Sequence, residues 1–376
     1  PASLDAARMT LTGASGDRPL VDAATAVGLD ALQVTLSQDT PLSPTGLYEL
    51  DLGEVLDHLG GVFRDLVPVI DDARIDRELQ DIGAASPGVQ PTPLPVAGAI
   101  VTYLRPSVGD DPRGFYVQGD ADGPGLFVAV NPLGLTPNPL LGDRVAFAVT
   151  ETVGAGPAVR AVAIEGYRQL AEGASLEPLR AALTTATVAD AGRLATLTGR
   201  TSGALRGSGP RHLEIPVDTG LEGPDVRFRF ADFVVDAIGA RAFEGGCTLA
   251  VGPAPLFVDG NPWVYAQALS SREVRGTCAA PFEAIAAGAT GLRSIEVRFS
   301  RGADDATLDP EDFRVTREGS DVALEVTGAF GFGTRATVTL AANLTPATYI
   351  VSVTGVESAL GEPIAPAPDP SFILVE

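Results

Sequence analysis

The residues best suited to chemistry in this chain are carboxylates gathered in two short runs. One run is GFYVQGDADGPGLFVAV, 114–130, in which Asp120 and Asp122 precede Gly123, with Asp110 and Asp111 close by in sequence. The other is GADDATLDPED, 302–312, with Asp304, Asp305, Asp309 and Asp312. Calcium takes six to eight oxygens from carboxylates and loop carbonyls, so Asp120, Asp122, Asp304, Asp305, Asp309 and Asp312 are candidate calcium ligands. Neither run completes the twelve-residue helix–loop–helix calcium loop, because no Glu stands at its last position. The competing expectation at both runs is a solvated turn, with Asp-Gly selected for its backbone angles. That expectation is preferred, and it makes 114–130 a hairpin.

Other chemistry has less to work with. His58, on the expected 55–66 helix, and His212, opening the strand HLEIPV, are the only histidines, and neither stands at zinc-ligand spacing from the cysteines. Both are expected to be structural. There is no Gly-x-Ser-x-Gly elbow with a partner His, no phosphate-binding Walker loop, no HExxH and no paired CxxC. Two carboxylates suffice for glycoside hydrolysis, and a chain with 48 of them always contains candidate pairs. However, 6% aromatic residues and one tryptophan, Trp263, leave little to stack on sugar rings. No catalytic residue is assigned, and the expectation is a protein without catalysis. No cofactor is expected, calcium at the acidic runs excepted. Cys247 and Cys278 are the only cysteines, and in a chain of exported character they are expected to form one disulfide.

The charge narrows the partners. Asp and Glu number 48 against 26 basic residues, all of them Arg, for a net charge of −22. Such a field repels nucleic-acid phosphates and anionic lipids, which disfavours both as general partners. No run of 18 or more apolar residues offers a membrane span. The chain opens on Pro1, which fits a mature exported protein after removal of a signal segment.

Hydrophobic residues make up 45% of 376, enough for about two to four domains. Four regions separate by pattern. Residues 1–90 are mixed α+β. ARMTLTG and DALQVTLSQ alternate as strands, whereas Val55, Leu59, Val62 and Leu66 have helical spacing, interrupted by Gly60 and Gly61. Ile75, Leu79 and Ile82 predict a second helix. The Pro-rich stretch 85–96 reads as a linker or an extended entry into the next domain. Residues 91–170 hold five strand-like runs, VAGAIVTYL, GFYVQ, GLFVAV, DRVAFAVTETV and AVRAVAI, which fit a small closed barrel. In 171–280, SLEPLRAALTT predicts a linking helix capped by Ser175, with Leu176, Leu179 and Leu183 on one stripe. A second set of five strands comes next, with the insertion ADFVVDAIGARAFEGG before its fourth. In 281–376 an Ala/Gly-rich joint, 279–291, precedes LRSIEVRFSR, which turns Ile295, Val297 and Phe299 inward. Strands at intervals of 8–15 residues then predict a β-sandwich.

These motifs carry two resemblances. Val101–Tyr103, Gly114–Gln118, Gly125–Val130 and Gly142–Phe147 resemble an oligonucleotide/oligosaccharide-binding (OB) barrel of secreted bacterial proteins, and 190–278 is similar to it more weakly. Residues 295–316 and 345–364 resemble the bacterial Ig-like domain of S-layer and surface proteins, with Glu357 and Gly361 at the place of that family's closing Asp-Gly. The resemblances imply a mainly β protein of tandem OB-like barrels followed by an Ig-like sandwich. They imply a cell-surface or extracellular location, and a structural, adhesive or filament-forming role through self-association or other surface proteins. A glycan- or oligonucleotide-binding accessory protein is the alternative, and a secreted hydrolase stands third. Self-association through residues 1–16 or the terminal strand SFILVE is one expectation, because an unpaired strand edge accepts another strand, and pairing of both ends within their own chain is the competing one, preferred for SFILVE.

Overall fold

The computed structural model describes residues 72–374, apart from 155, 223, 224, 244, 245 and 259–262, together with the backbone of short strands between residues 10 and 68. Those short strands are β1 (Thr10–Gly13), β2 (Val21–Val27), β3 (Ala31–Leu36), β4 (Tyr48–Asp51), β5 (Val55–Leu56), β6 (Val62–Phe63) and β7 (Leu66–Pro68). β4 pairs with both β1 and β7, β2 pairs with β3, and β5 with β6. The helix expected over 55–66 is therefore absent: Val55 and Leu56 pair antiparallel with Phe63 and Val62. A glycine pair in the sequence between them disfavours a helix. Leu59 and His58 lie outside the described residues. β1 already pairs with β4 of its own chain.

The predicted second helix is present as α1 (Asp72–Ala84). Its stripe is shut off from solvent, with Ile75, Leu79 and Ile82 at 1%, 2% and 0% exposure. The stripe enters the core of a five-stranded barrel. This barrel comprises β8 (Gly88–Arg105), β9 (Gly114–Gln118), β10 (Gly125–Val128), β11 (Arg144–Val153) and β12 (Arg160–Ala171). It closes in the order β10-β12-β11-β8-β9, with β10 and β12 parallel and every other pair antiparallel. Hence α1, placed by sequence pattern with the N-terminal region, is packed as part of the barrel. Glu78 fastens it there, accepting from Ala97 N of β8 at 2.8 Å, and within the helix it also accepts from Arg74 Nε at 2.7 Å.

Of the two expectations for the Pro-rich stretch, the extended entry holds rather than the linker: from Gly88 on it is the first half of β8. Pro91, Pro93 and Pro95 recur every second residue, so their missing donors fall on one side of the strand. Over this half β8 pairs with β11 alone, as in Pro95 opposite Ala148, while β9 joins only from Ile100 onward. Prolines are tolerated along such a one-sided stretch.

A second unit repeats the plan. It contains β13 (Leu194–Thr201), β14 (Arg206–Gly207), β15 (His212–Asp218), β16 (Val226–Ala231), α2 (Asp232–Ile238), β17 (Thr248–Phe257), β18 (Val264–Ala268) and β19 (Val274–Thr277). The path β13-β15-β16-β18-β17 returns to β13, and β16 and β18 are parallel. Position for position this is the first barrel's order, with α2 inserted before the fourth strand. The helix expected over 175–185 is reduced to a single 3-10 turn, Glu177–Leu179. Past it the chain is held extended by Leu194, whose carbonyl accepts from Ala181 N at 2.8 Å. Pairing with the barrel outweighs helical propensity there.

The last unit stacks two four-stranded sheets. One runs β20-β21-β25-β24 and the other β23-β22-β26-β27. Their ranges are β20 (Ala284–Gly291), β21 (Ser294–Phe299), β22 (Phe313–Arg317), β23 (Ala323–Leu324), β24 (Val326–Phe332), β25 (Arg335–Leu340), β26 (Ala347–Val353) and β27 (Ser371–Leu374). Ile295, Val297 and Phe299 point into the shared core as predicted. The Ala/Gly-rich joint proves to be largely β20, paired with β21. β27 pairs with β26, so SFIL is held within its own sheet.

Candidate functional site

The acidic run 114–130 lies where the two barrels meet. Gln118, at the end of β9, is fully buried, and its Oε1 accepts from Leu194 N at 3.0 Å. Arg193 reaches back to the turn, donating from Nε and Nη2 to Ala121 O at 3.2 and 2.7 Å. Its Nη1 is paired with Asp190 at 2.5 Å. Gly125 and Gly192 press backbone to backbone: a Cβ on Gly125 would sit 2.0 Å from the Gly192 carbonyl oxygen. Tyr103 of the first barrel donates to Glu273 of the second at 2.7 Å.

Between the barrels is an open cleft of about 350 Å³, lined chiefly by Arg105, Asp111, Tyr116, Phe127, Arg160 and Phe257. A tight turn presents Asp111, with mutual backbone bonds between Val108 and Asp111 at 3.2 and 3.0 Å. Asp111 Oδ2 accepts from Nη2 of Arg105, in its own barrel, and from Nη1 of Arg229, in the other, at 2.7 Å. Both arginines are almost wholly buried. Burial pushes the Asp111 carboxyl upward, but Arg105 and Arg229 outweigh it and hold the group below the ordinary carboxylate range. The Arg105 guanidinium lies between two rings, 5.1 Å from the Phe127 centroid and 5.5 Å from that of Phe257.

His212 lies behind this cluster, buried, with Nε2 3.5 Å from Asp111 Oδ2. Its Nδ1 is 3.0 Å from the Pro210 carbonyl, and Gln267 Nε2 is 3.3 Å from its Nε2. Those partners assign a neutral ring with Nδ1 protonated. Burial, with Arg229 second, lowers its pKa. Burial also raises the hydroxyls of Tyr103 and Tyr116 above the ordinary tyrosine range. Asp111 is thus kept ionised with both arginines on one oxygen, a state suited to holding charge rather than accepting protons.

The predicted ligand residues fall into separate places. Asp120 Oδ1 accepts from Asp122 N at 2.8 Å and from Gly123 N at 2.6 Å, a turn closed on itself. The exposed Asp122 carboxylate pairs with Arg193 at 3.2 Å. In the sandwich, Asp304 Oδ1 accepts from Ala306 N at 3.1 Å. Asp305 begins the 3-10 turn that Asp304 caps, and Asp309 stands at the cap of a second one, Pro310–Asp312. The two runs are in different units, and among the described residues no three His, Cys, Asp or Glu side chains gather as a metal site.

Cys247 and Cys278 form the expected disulfide. They flank the β17–β19 pair, where Thr248 faces Thr277. Trp263 is stacked under the Arg227 guanidinium, 3.9 Å from its centroid. The sequence pattern did not single out Arg105 or Arg229. The only signal was the alternation in VRFRF, which puts Arg227 and Arg229 on the face opposite Phe228 and Phe230; there the first barrel meets Arg229 through Asp111.

Among the described residues no helix is long and apolar enough to cross a membrane. No protein-family model matches the chain, and no curated protein matches it. Among solved structures it is similar over part of its length to the N-terminal part of the bacterial S-layer protein SbsC, at 26% identity and a TM-score of 0.24, covering 25% of this chain and 24% of that one. A longer structure of the same S-layer protein, domains 1–6, matches at 26% identity and a TM-score of 0.24, over 26% of this chain and 14% of that one. The chain spans about a quarter or less of the structures it matches.

Proposed function

We propose that this is an exported structural or adhesive protein of the cell surface, a subunit of an extracellular assembly without catalysis. We propose also that its barrels are of the OB kind, a five-stranded Greek-key barrel, and that its sandwich is Ig-like. The observation that carries the functional reading is how the units are joined. The second barrel and the sandwich are fused through their backbones. Gly302 N donates to Ile238 O at 2.7 Å and Gly276 N to Leu360 O at 3.1 Å. Ala359 and Leu360, from the sandwich, belong to the core of the second barrel. Glu362 accepts from Cys278 N at 2.9 Å and pairs with the buried Arg301 at 2.5 Å. With the glycine contact between the barrels, successive units are fixed to one another, which suits a rigid building block of an assembly.

The partner in this reading is a second copy. The described parts of the ends nominated from the sequence, Thr10–Gly13 and Ser371–Leu374, pair within the chain, so we place self-association at an open sheet edge. β24 is one such edge, and Phe330 and Phe332 on it are 63% and 66% exposed. Light scattering of the intact protein across a concentration series, with electron microscopy of native preparations, tests the reading. Growth into particles or filaments, reduced by the double variant Phe330→Ser/Phe332→Ser, supports it. A monomer at every concentration refutes it.

The inter-barrel cleft favours a second reading, a ligand-binding accessory protein. A monomer that retains a bound small molecule supports that one instead.

A further inference from the structure

The geometry points to a binding site in the inter-barrel cleft for a small organic carboxylate carried on a ring. This goes beyond the structural role and does not depend on it. The first observation is Arg105 itself. It is 3% exposed and clamped between Phe127 and Phe257, and it spends one N–H on Asp111. Its Nε is buried with no hydrogen-bond partner. The Nε of Arg229 is in the same condition. A buried guanidinium with an unused donor loses its hydration without replacement, and such groups are ordinarily paired.

The second observation is charge. Two nearly buried guanidinium groups share one carboxylate, Asp111, and His212 adds no negative charge. Arg160 lines the same cleft, exposed, with no ion pair among the described residues. An uncompensated buried cation is expensive in a low-dielectric site, and one monoanion removes the excess. A dianion would overshoot the buried pair. A carboxylate also matches the planar donor edge of a guanidinium.

The third observation is shape. Tyr116 and Phe127 stack at 4.7 Å between centroids and line the cleft together with Phe257, and the Arg105 guanidinium sits between the Phe127 and Phe257 rings. A space of about 350 Å³ is at the lower end for small-molecule sites, room for a single ring and its substituents. Aromatic side chains beside a guanidinium suit a ring that carries a carboxylate, from either a sugar acid or an aromatic acid. The shared chemistry is the ring-borne carboxylate.

Isothermal titration of the full chain at constant ionic strength tests this, with sodium glucuronate and sodium benzoate as probes. Glucose, benzamide and inorganic phosphate serve as controls. At least one of the two carboxylates is expected to bind one per chain, about tenfold or more tighter than its neutral counterpart and than phosphate. Tighter glucuronate binding identifies a sugar-acid site, and tighter benzoate binding an aromatic-acid site. Arg160→Gln, at an exposed position, should weaken binding severalfold while leaving the melting temperature of the free protein unchanged. Arg105→Gln should abolish binding, with circular dichroism to show that it remains folded. The proposal is overturned if neither carboxylate exceeds its neutral counterpart, if phosphate binds as tightly, or if Arg160→Gln leaves the affinity unchanged.

Discussion

Replacing Gly125 by Ala should pry the two barrels apart. The added methyl would meet the Gly192 carbonyl oxygen at 2.0 Å and its carbon at 2.2 Å. Both are backbone atoms, so no side chain can swing aside. The barrels must separate by roughly 1 Å before the contact becomes tolerable. That movement stretches the bonds crossing the same junction: Gln118 to Leu194 at 3.0 Å, Arg193 to Ala121 at 2.7 Å and Tyr103 to Glu273 at 2.7 Å. At about 1 kcal/mol net for each, the loss is about 3 kcal/mol. This matches the upper part of the usual cost of overpacking. Chemical denaturation measures the loss, and limited proteolysis near residues 171–193 should report an opened junction. Gly134→Ala is the control, since a Cβ there meets nothing within 4 Å. If Gly125→Ala unfolds at the wild-type denaturant concentration and resists protease equally, the glycine contact does not set the junction.

The same geometry fixes three further outcomes. Cys247→Ser/Cys278→Ser opens a disulfide spanning a sequence separation of 31 and should cost about 3–4 kcal/mol in denaturant; equal midpoints for the wild type with and without reductant would contradict this. Leu79→Ala should destabilise the first barrel by about 2–5 kcal/mol, because α1 is part of its core, and an unchanged melting temperature would mean that α1 is only an appendage. Because His212 is held below its ordinary value of 6.5, the folded state binds fewer protons than the unfolded state in that window. The stability it contributes is present above about pH 6.5 and is lost as pH falls through the lowered value, so His212→Gln should flatten the melting temperature across that window. A wild-type slope in the variant would exclude His212 as its source.

The strands were legible because alternation survives wherever one face is buried. Ile295, Val297 and Phe299 gave the clearest pattern, and they are 0%, 0% and 2% exposed. α1 was legible for the same reason at helical spacing. Where pattern and fold part, the cause is shared: a local pattern does not contain the partner that decides it. Residues 175–185 have good helical spacing but are drawn out by the backbone of Leu194. Residues 88–95 have linker composition, yet β11 is beside them. The cleft was the least legible part. Arg105 comes from the end of β8, Asp111 from a turn and Arg229 from β16, and only the contact between barrels brings them together. Asp111 stood near the candidate calcium loop in the sequence, but its partners proved to be guanidinium groups.

A chain of charge −22 that buries cations at a junction makes a demanding choice, and the residue type helps to explain how it is sustained. Lysine under the same burial can discharge by losing its proton, whereas arginine cannot. The cluster therefore stays charged, and Asp111 is drawn into it at a fixed position. Gly109 in the Asp111 turn lies against Pro210, where a Cβ would meet the carbonyl oxygen at 2.1 Å, so this turn also sits on the second barrel. The glycine contacts set how closely the barrels approach, but they are small and nearly without direction. The ion cluster is directional, because Arg105 and Arg229 must reach one oxygen from opposite barrels. Buried ion pairs add little net stability compared with apolar packing, but they penalise wrong arrangements heavily. The two devices divide the work: close backbone contact fixes the distance between the barrels, and the shared carboxylate fixes their orientation about it.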